Sequence, residues 1–180
     1  MSKKVLILST SPRRNSNSEA LAEAFAKGAK DAGNDVEIIR MREKNYRFCT
    51  GCFACQKTGN CVIKDDMVEI VPRMEQADVL VFATPIYYYE MSGQMKTLLD
   101  RANPLFVADY RFRDVYCLSS AAEDEAFVPQ RAQSGLEGWI ECFEKAKLTG
   151  TVFGGGVTEA GEIAGHPALA KAYEMGKAVL

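Results

Sequence analysis

Histidine is almost absent from this sequence: His166 is the single one among 180 residues, so a site that needs two or three imidazole ligands is excluded. Net charge is also nearly absent, because 22 basic side chains face 24 acidic ones, which leaves no broad positive field for nucleic acid or anionic lipid. No apolar run approaches the roughly 20 residues of a membrane span. We therefore expect neither a nucleic-acid nor a membrane partner.

The first apolar run, residues 5–8, stops at Ser9. It is shorter than the roughly 7–15 residues of a signal-peptide core, so we interpret it as a buried strand and predict a cytoplasmic protein. In that compartment the six cysteines are expected to be thiols or metal ligands rather than disulfides. The length predicts one domain over residues 1–180, with a cysteine-rich loop at about 45–64.

Five short apolar runs alternate with segments of helical period, which is typical of a parallel sheet covered on both faces. The predicted strands span residues 5–8, 36–39, 79–83, 115–119 and 151–153. Ser16, three residues before Glu19, has the spacing of a capping box at the start of the first helix. The pattern predicts an α/β fold with a doubly wound sheet.

The loop after the first strand, residues 9–18, reads Ser-Thr-Ser-Pro-Arg-Arg-Asn-Ser-Asn-Ser. It has no glycine, so it is neither a dinucleotide fingerprint nor a P-loop. Hydroxyls, an arginine and the free amides of a helix start suit a phosphate dianion. The alternative is a polar turn that only caps the helix, but a cap needs one hydroxyl and this loop has five.

This loop resembles the S-P-R-x-x-S-N-[ST] phosphate loop of the NAD(P)H-dependent FMN reductase family, a flavodoxin-like group. Residues 84–89, Thr-Pro-Ile-Tyr-Tyr-Tyr, and residues 91–96, Met-Ser-Gly-Gln-Met-Lys, resemble its second flavin-contacting loop. The resemblance runs from residue 5 to residue 176. It implies a flavodoxin-like three-layer sandwich, whose five-stranded parallel sheet has the order 2-1-3-4-5 and helices on both faces.

The resemblance also implies which residues bind FMN. The expected cofactor-binding residues are Ser9, Ser11, Arg13, Ser16, Asn17, Ser18, Pro85, Ile86, Tyr87, Tyr88, Ser119, Ser120 and Ala121. No catalytic side chain is expected, because the flavin itself carries the chemistry. Tyrosine also favours interfaces, so residues 87–89 have core or dimer-surface packing as an alternative.

Four cysteines, Cys49, Cys52, Cys55 and Cys61, give the spacing C-x2-C-x2-C-x5-C. Four thiolates so close in sequence suit a tetrahedral metal or an iron–sulfur cube, and all-sulfur ligation favours iron–sulfur over zinc. The spacing resembles that of the iron–sulfur flavoprotein branch of the family. A [4Fe–4S] cluster, metal-free thiols and zinc remain the three alternatives. Cys117 and Cys142 are expected to pack in the core.

The sequence thus predicts an FMN-dependent oxidoreductase with NAD(P)H as its substrate. Its expected partner is a small-molecule electron acceptor such as a quinone or a flavin, and the resemblance implies a homodimer, with a tetramer as the alternative. Two other functions stay open: an electron carrier reduced by a ferredoxin-like partner, and a thiol redox sensor.

Overall fold

The computed structural model describes residues 2–180 and contains six strands and six α-helices within that range. The strands are β1 (Lys4–Ser9), β2 (Asp35–Arg40), β3 (Val79–Tyr87), β4 (Glu90–Met91), β5 (Asp114–Ser120) and β6 (Lys147–Gly154). The helices are α1 (Asn17–Asp31), α2 (Ala54–Thr58), α3 (Met67–Gln76), α4 (Gly93–Arg101), α5 (Gln130–Ile140) and α6 (Pro167–Lys177). Short 3₁₀ turns cover Met41–Glu43 and Asn103–Val107.

The five long strands are parallel and lie in the order β2-β1-β3-β5-β6, while the short β4 pairs antiparallel with β3. Counting the five parallel strands alone, this is the order 2-1-3-4-5. The flavodoxin-like α/β fold and all five predicted strands are therefore confirmed. Among residues 2–180, no helix is both long and apolar enough to span a membrane.

Side chains of the central strands alternate between two apolar cores. Leu6, Leu8 and Phe82 belong to the core that includes residues of α3, α4 and α5, whereas Ile7 and Val81 belong to the one that includes residues of α1 and α6. Because both faces are buried, these strands carry apolar residues at nearly every position, and this explains the short apolar runs.

The strand β3 runs four residues beyond its predicted end at Ala83. Pro85 does not interrupt it, because pairing with β1 ends at Ala83 and only β5 continues alongside, where Pro85 lies opposite Ser120. The chain then folds back as a hairpin onto β4. Its two turn residues, Tyr88 and Tyr89, have φ of 51° and 65°.

The first helix starts at its predicted cap: the Ser16 Oγ accepts a hydrogen bond from the Glu19 amide at 3.3 Å. The reciprocal half of a capping box does not form. The buried Glu19 carboxylate instead accepts hydrogen bonds from Arg40 and from Arg42, the latter at 2.7 Å. The start of α1 is thereby tied to the end of β2.

Two glycines allow α1 and α6 to pack backbone against backbone. A Cβ on Gly28 would lie 2.0 Å from the Tyr173 carbonyl oxygen, and one on Gly176 would lie 2.1 Å from the Phe25 carbonyl oxygen. Neither contact can be relieved by rotating a side chain, so the helices would have to separate.

We expect Gly28→Ala to lower the free energy of unfolding by about 1–3 kcal/mol, because the added methyl group overpacks the α1–α6 contact. Gly138→Ala in α5 is the matched control, since a Cβ there meets nothing within 4 Å. It should raise stability by about 1 kcal/mol through helix propensity. Urea unfolding of the two variants measures both values, and equal effects would contradict the packing argument.

Candidate functional site

The carboxyl ends of β1, β3 and β5 meet at one edge of the sheet, where a buried hydroxyl network joins the first two of their loops. Ser92 Oγ lies 3.2 Å from Thr10 Oγ1, and the Ser92 amide donates to Thr84 Oγ1 at 3.0 Å. All three side chains are fully buried. Sequence reasoning missed this network as part of the site, although each residue lies in or beside a predicted loop.

Three further hydroxyls at this edge are buried and have no hydrogen-bond partner: those of Ser9, Ser18 and Ser119. Leaving a buried hydroxyl unpaired costs about 1–3 kcal/mol, so such groups point to a ligand that pairs them. All three residues belong to the predicted FMN-binding set. Their chemistry fits a cofactor that is rich in phosphoryl and hydroxyl oxygens.

Other residues of the first loop that are predicted to bind FMN make hydrogen bonds within the protein. The Ser11 Oγ accepts from the Arg13 amide at 3.3 Å, and the Arg13 guanidinium donates to the Thr158 carbonyl at 2.9 Å. The Asn17 side chain donates to the Glu159 carbonyl at 2.9 Å and accepts from the Ile163 amide. Arg13 and Asn17 therefore brace the loop against the segment after β6, and their phosphate contacts stay a prediction.

The second loop, residues 84–89, presents tyrosine side chains to solvent next to the third loop, which follows β5. Pro85 is buried and Ile86 half-buried, while Tyr87 is 41% exposed and Tyr88 97% exposed. A left-handed backbone conformation at a non-glycine residue costs about 1–2 kcal/mol, and such residues are concentrated at ligand sites. The positive φ of Tyr88 therefore supports a ligand site at this turn.

The third loop leaves β5 through Ser120 and Ala121, both buried. The Ala121 amide donates to the Gly154 carbonyl at 3.2 Å. The Tyr89 hydroxyl donates to the Glu123 carboxylate at 3.1 Å, so it joins the second loop to the third. All three predicted loops thus border one edge of the sheet.

The four cysteines of the predicted metal site do not converge. Among residues 2–180, no three His, Cys, Asp or Glu side chains lie close enough together to hold a metal ion. Cys49 and Cys52 are exposed, whereas Cys55 is buried and its sulfur accepts from Asn103 Nδ2 at 3.1 Å. Cys61 lines a different cavity from Cys49. As arranged, the thiols do not fit a [4Fe–4S] cluster, and the cluster stays a prediction.

Arg101, at the end of α4, closes the base of the cysteine loop. Its buried guanidinium donates to both carboxylate oxygens of Asp65 at 2.7 and 2.8 Å, and to the Arg47 carbonyl at 2.7 Å. Arg47 precedes the first cysteine and Asp65 follows the fourth, so one side chain joins both ends. The hydrogen bond with Asp65 raises the pKa of Arg101.

The six thiols differ in environment. The Ala54 amide and the Thr50 hydroxyl hold the pKa of the exposed Cys52 below its usual range. Cys117 is 1% exposed, which confirms its predicted core position, and this burial raises the pKa of its thiol to about 12. Cys142 is exposed, so its predicted core packing is wrong: α5 ends at Ile140, and Cys142 lies beyond the apolar face of that helix.

Residues 3–134 match the family model described as NADPH-dependent FMN reductase. The chain belongs to this family. The matched range contains all three unpartnered serines and all four clustered cysteines.

Relatives of this FMN reductase family member include iron–sulfur flavoproteins. One from Archaeoglobus fulgidus is 37% identical over 94 residues, which is 52% of this chain and 43% of the relative. One from Methanocaldococcus jannaschii is 35% identical over 102 residues, which is 57% of this chain and 53% of the relative. The chain spans about half the length of the curated relatives it matches.

Solved structures share the fold at low identity. An NAD(P)H:quinone oxidoreductase from Methanothermobacter marburgensis has a TM-score of 0.74 at 19% identity and covers 100% of both chains. An azoreductase from Bacillus anthracis has a TM-score of 0.73 at 15% identity, covering 98% of this chain and 99% of its own. These similarities establish the flavodoxin-like architecture.

We expect Arg101→Met to lower the free energy of unfolding by about 3–5 kcal/mol, because it leaves the buried Asp65 carboxylate without its partner. The double variant Arg101→Met/Asp65→Asn removes that charge and should be more stable than Arg101→Met alone. Urea unfolding of the wild type, both single variants and the double variant measures the coupling energy between Arg101 and Asp65. A double variant as unstable as the sum of both single changes would contradict the assigned pairing.

We expect iodoacetamide to modify Cys52 first in the metal-free protein, because its lowered pKa increases the thiolate fraction. Cys117 should stay unmodified until the protein is unfolded. Peptide mass spectrometry after timed quenching measures the order. Cys49 is the matched control, because it is also exposed on the same loop, and its faster alkylation would contradict the assignment.

Proposed function

We propose that this chain is an FMN-dependent oxidoreductase that takes hydride from NADPH and passes electrons to a small acceptor such as a quinone or a flavin. The observation that carries the proposal is the set of buried, unpartnered hydroxyls of Ser9, Ser18 and Ser119 at the ligand edge of a flavodoxin-like sheet. Membership in the NADPH-dependent FMN reductase family supports both FMN and NADPH.

In this proposal the start of α1 holds the FMN phosphate. Its first-turn amides have no partners within the helix, and the helix dipole favours an anion there. Ser16 fixes the direction of those amides by capping the helix, and Ser18 adds a hydroxyl donor from the first turn. The phosphate is therefore held by a rigid helix end rather than by a mobile loop.

The ring system of FMN is assigned to the surface formed by Pro85, Ile86, Tyr87 and Tyr88, opposite the loop that begins at Ser119. Bound FMN supplies the hydride-accepting centre, which no protein side chain offers. The residues of this chain would hold and orient that ring. The exposure of Tyr87 and Tyr88 supports an approach of the nicotinamide from solvent.

The names of the curated relatives support a second candidate, an iron–sulfur flavoprotein that works as an electron carrier. The C-x2-C-x2-C-x5-C segment of this chain has the residues for it, but its thiols do not converge in the structure. No electron route is therefore assigned through the cysteine loop. The main proposal includes a homodimer, which the family resemblance implies, and a cytoplasmic location, which the short first apolar run predicts.

We expect Ser16→Asp to abolish FMN retention while leaving the fold intact. Aspartate caps a helix as well as serine does, but its charge repels a phosphate dianion at the same amides. The measurements are the flavin absorbance of the purified protein, uptake of added FMN, and bleaching of the flavin by NADPH.

Ser134→Asp is the matched control, because it adds the same charge to an exposed position of α5. It should retain FMN at the wild-type level. Unchanged FMN content in Ser16→Asp would overturn the phosphate assignment, and a wild-type protein that takes up no FMN would overturn the proposed function.

A further inference from the structure

We propose that a cavity between the segment after β2 and the start of α4 binds the 2′-phosphate and adenine of NADPH. This nucleotide cavity has a volume of about 450 Å³ and is lined by Pro12, Arg42, Lys44, Tyr46, Phe48 and Gly93, among others. That volume lies within the range of small-molecule sites, roughly 300–1,000 Å³. The inference rests on the proposed function, since NADPH is the ligand it assigns.

The charge of the lining favours a phosphate. Two cations, Arg42 and Lys44, line the nucleotide cavity and no carboxylate does. The four other cavities described each contain at least one carboxylate: Asp35, Glu75, Asp100 and Glu137 are among their lining residues. Glu19 and Glu43 neutralise Arg42 from outside the lining, so in the described part of the chain Lys44 supplies the unpaired positive charge of the nucleotide cavity.

The two cations have different roles. Arg42 is held in place by Glu19 at 2.7 Å and by Glu43 at 3.3 Å, and its buried Nε–H has no acceptor. Lys44 is exposed and makes no ion pair within residues 2–180. Lys44 is therefore the cation that can move to a phosphate without breaking an existing contact.

The N-terminus of α4 adds to the positive potential. Ser92 caps this nine-residue helix, and its first turn carries no acidic side chain. A Cβ placed on Gly93 would meet nothing within 4 Å, so the helix start faces open space. First-turn amides and the helix dipole both favour an anion at such a position.

Aromatic rings provide the surface for adenine. The Tyr46 hydroxyl donates to the Gln94 carbonyl at 3.2 Å, which fixes its ring against the start of α4. The Tyr46 side chain is half-buried, and this burial raises its pKa to about 12. Phe48 is 79% exposed at the same cavity and offers a second planar surface.

The nucleotide cavity borders the proposed FMN site. Pro12 lies in the phosphate loop, and Gln94 follows the hairpin that carries Tyr87 and Tyr88; both line the cavity. A single dinucleotide can therefore place its nicotinamide at the flavin and its adenosine end between Lys44 and α4. This assigns discrimination between NADPH and NADH to Lys44, because only NADPH carries the 2′-phosphate.

The test compares Lys44→Gln with wild type in steady-state turnover of the FMN-loaded protein. We expect KM for NADPH to rise about tenfold, as for loss of one charge-assisted hydrogen bond, while kcat and KM for NADH change less than twofold. Lys57→Gln, an exposed lysine on α2, is the matched control and should leave both KM values unchanged. Equal changes for both nucleotides, or no change, would overturn the inference.

A binding experiment separates this inference from the proposed function. Adenosine 2′,5′-bisphosphate is titrated calorimetrically into the FMN-loaded wild type, Lys44→Gln and Gly93→Asp, with adenosine 5′-monophosphate as the reference. Gly93→Asp adds a carboxylate that also suits the first turn of α4, so it should abolish binding without unfolding the helix. Wild-type binding that both variants lose supports the cavity even if NADPH is not oxidised. Absence of 2′-phosphate-dependent binding overturns it even if turnover occurs.

Discussion

Parallel pairing of β1, β3 and β5 is the constraint on which the rest of this structure depends. It requires every strand to end at the same edge of the sheet, so the loops that follow lie side by side without any contact of their own. The hydroxyl network of Thr10, Thr84 and Ser92 then fixes two of these loops relative to one another. Of the unpartnered serines, β1 and β5 place Ser9 and Ser119 at this edge, and the first turn of α1 places Ser18 there.

Two ion pairs connect the long segment after β2 to α1 and α4. Glu19 holds Arg42 at its beginning, and Arg101 binds Arg47 and Asp65 further along. The cysteines between residues 47 and 65 therefore belong to a loop that is fixed at its base by Arg101 and in its middle by Cys55, which is buried and accepts a hydrogen bond from Asn103.

The sequence predicts the features that depend on local pattern, but it does not predict those that depend on tertiary contacts. The strands and the Ser16 cap follow from apolar runs and hydroxyl spacing, and the structure contains them. The tyrosine hairpin was missed because Pro85 normally ends a strand, and only the absence of β1 alongside allows β3 to continue. Cysteine spacing predicts the kind of ligand but not whether the four thiols lie close together. In the structure Cys55 is buried against Asn103 rather than directed to the other thiols.

The Ser92 hydroxyl, which joins the loops that follow β1 and β3, also positions the helix start that lines the nucleotide cavity. Ser92 caps α4, whose start lines the cavity, and its Oγ lies within hydrogen-bonding distance of Thr10 in the phosphate loop. This contact connects the loop of residues 9–18 directly to the first turn of α4. Because Pro12 of that loop also lines the cavity, both proposed ligands are bound by one connected unit. Ser92 can be polar at this buried position because its hydroxyl accepts from the Met95 amide and lies within hydrogen-bonding distance of Thr84 and Thr10.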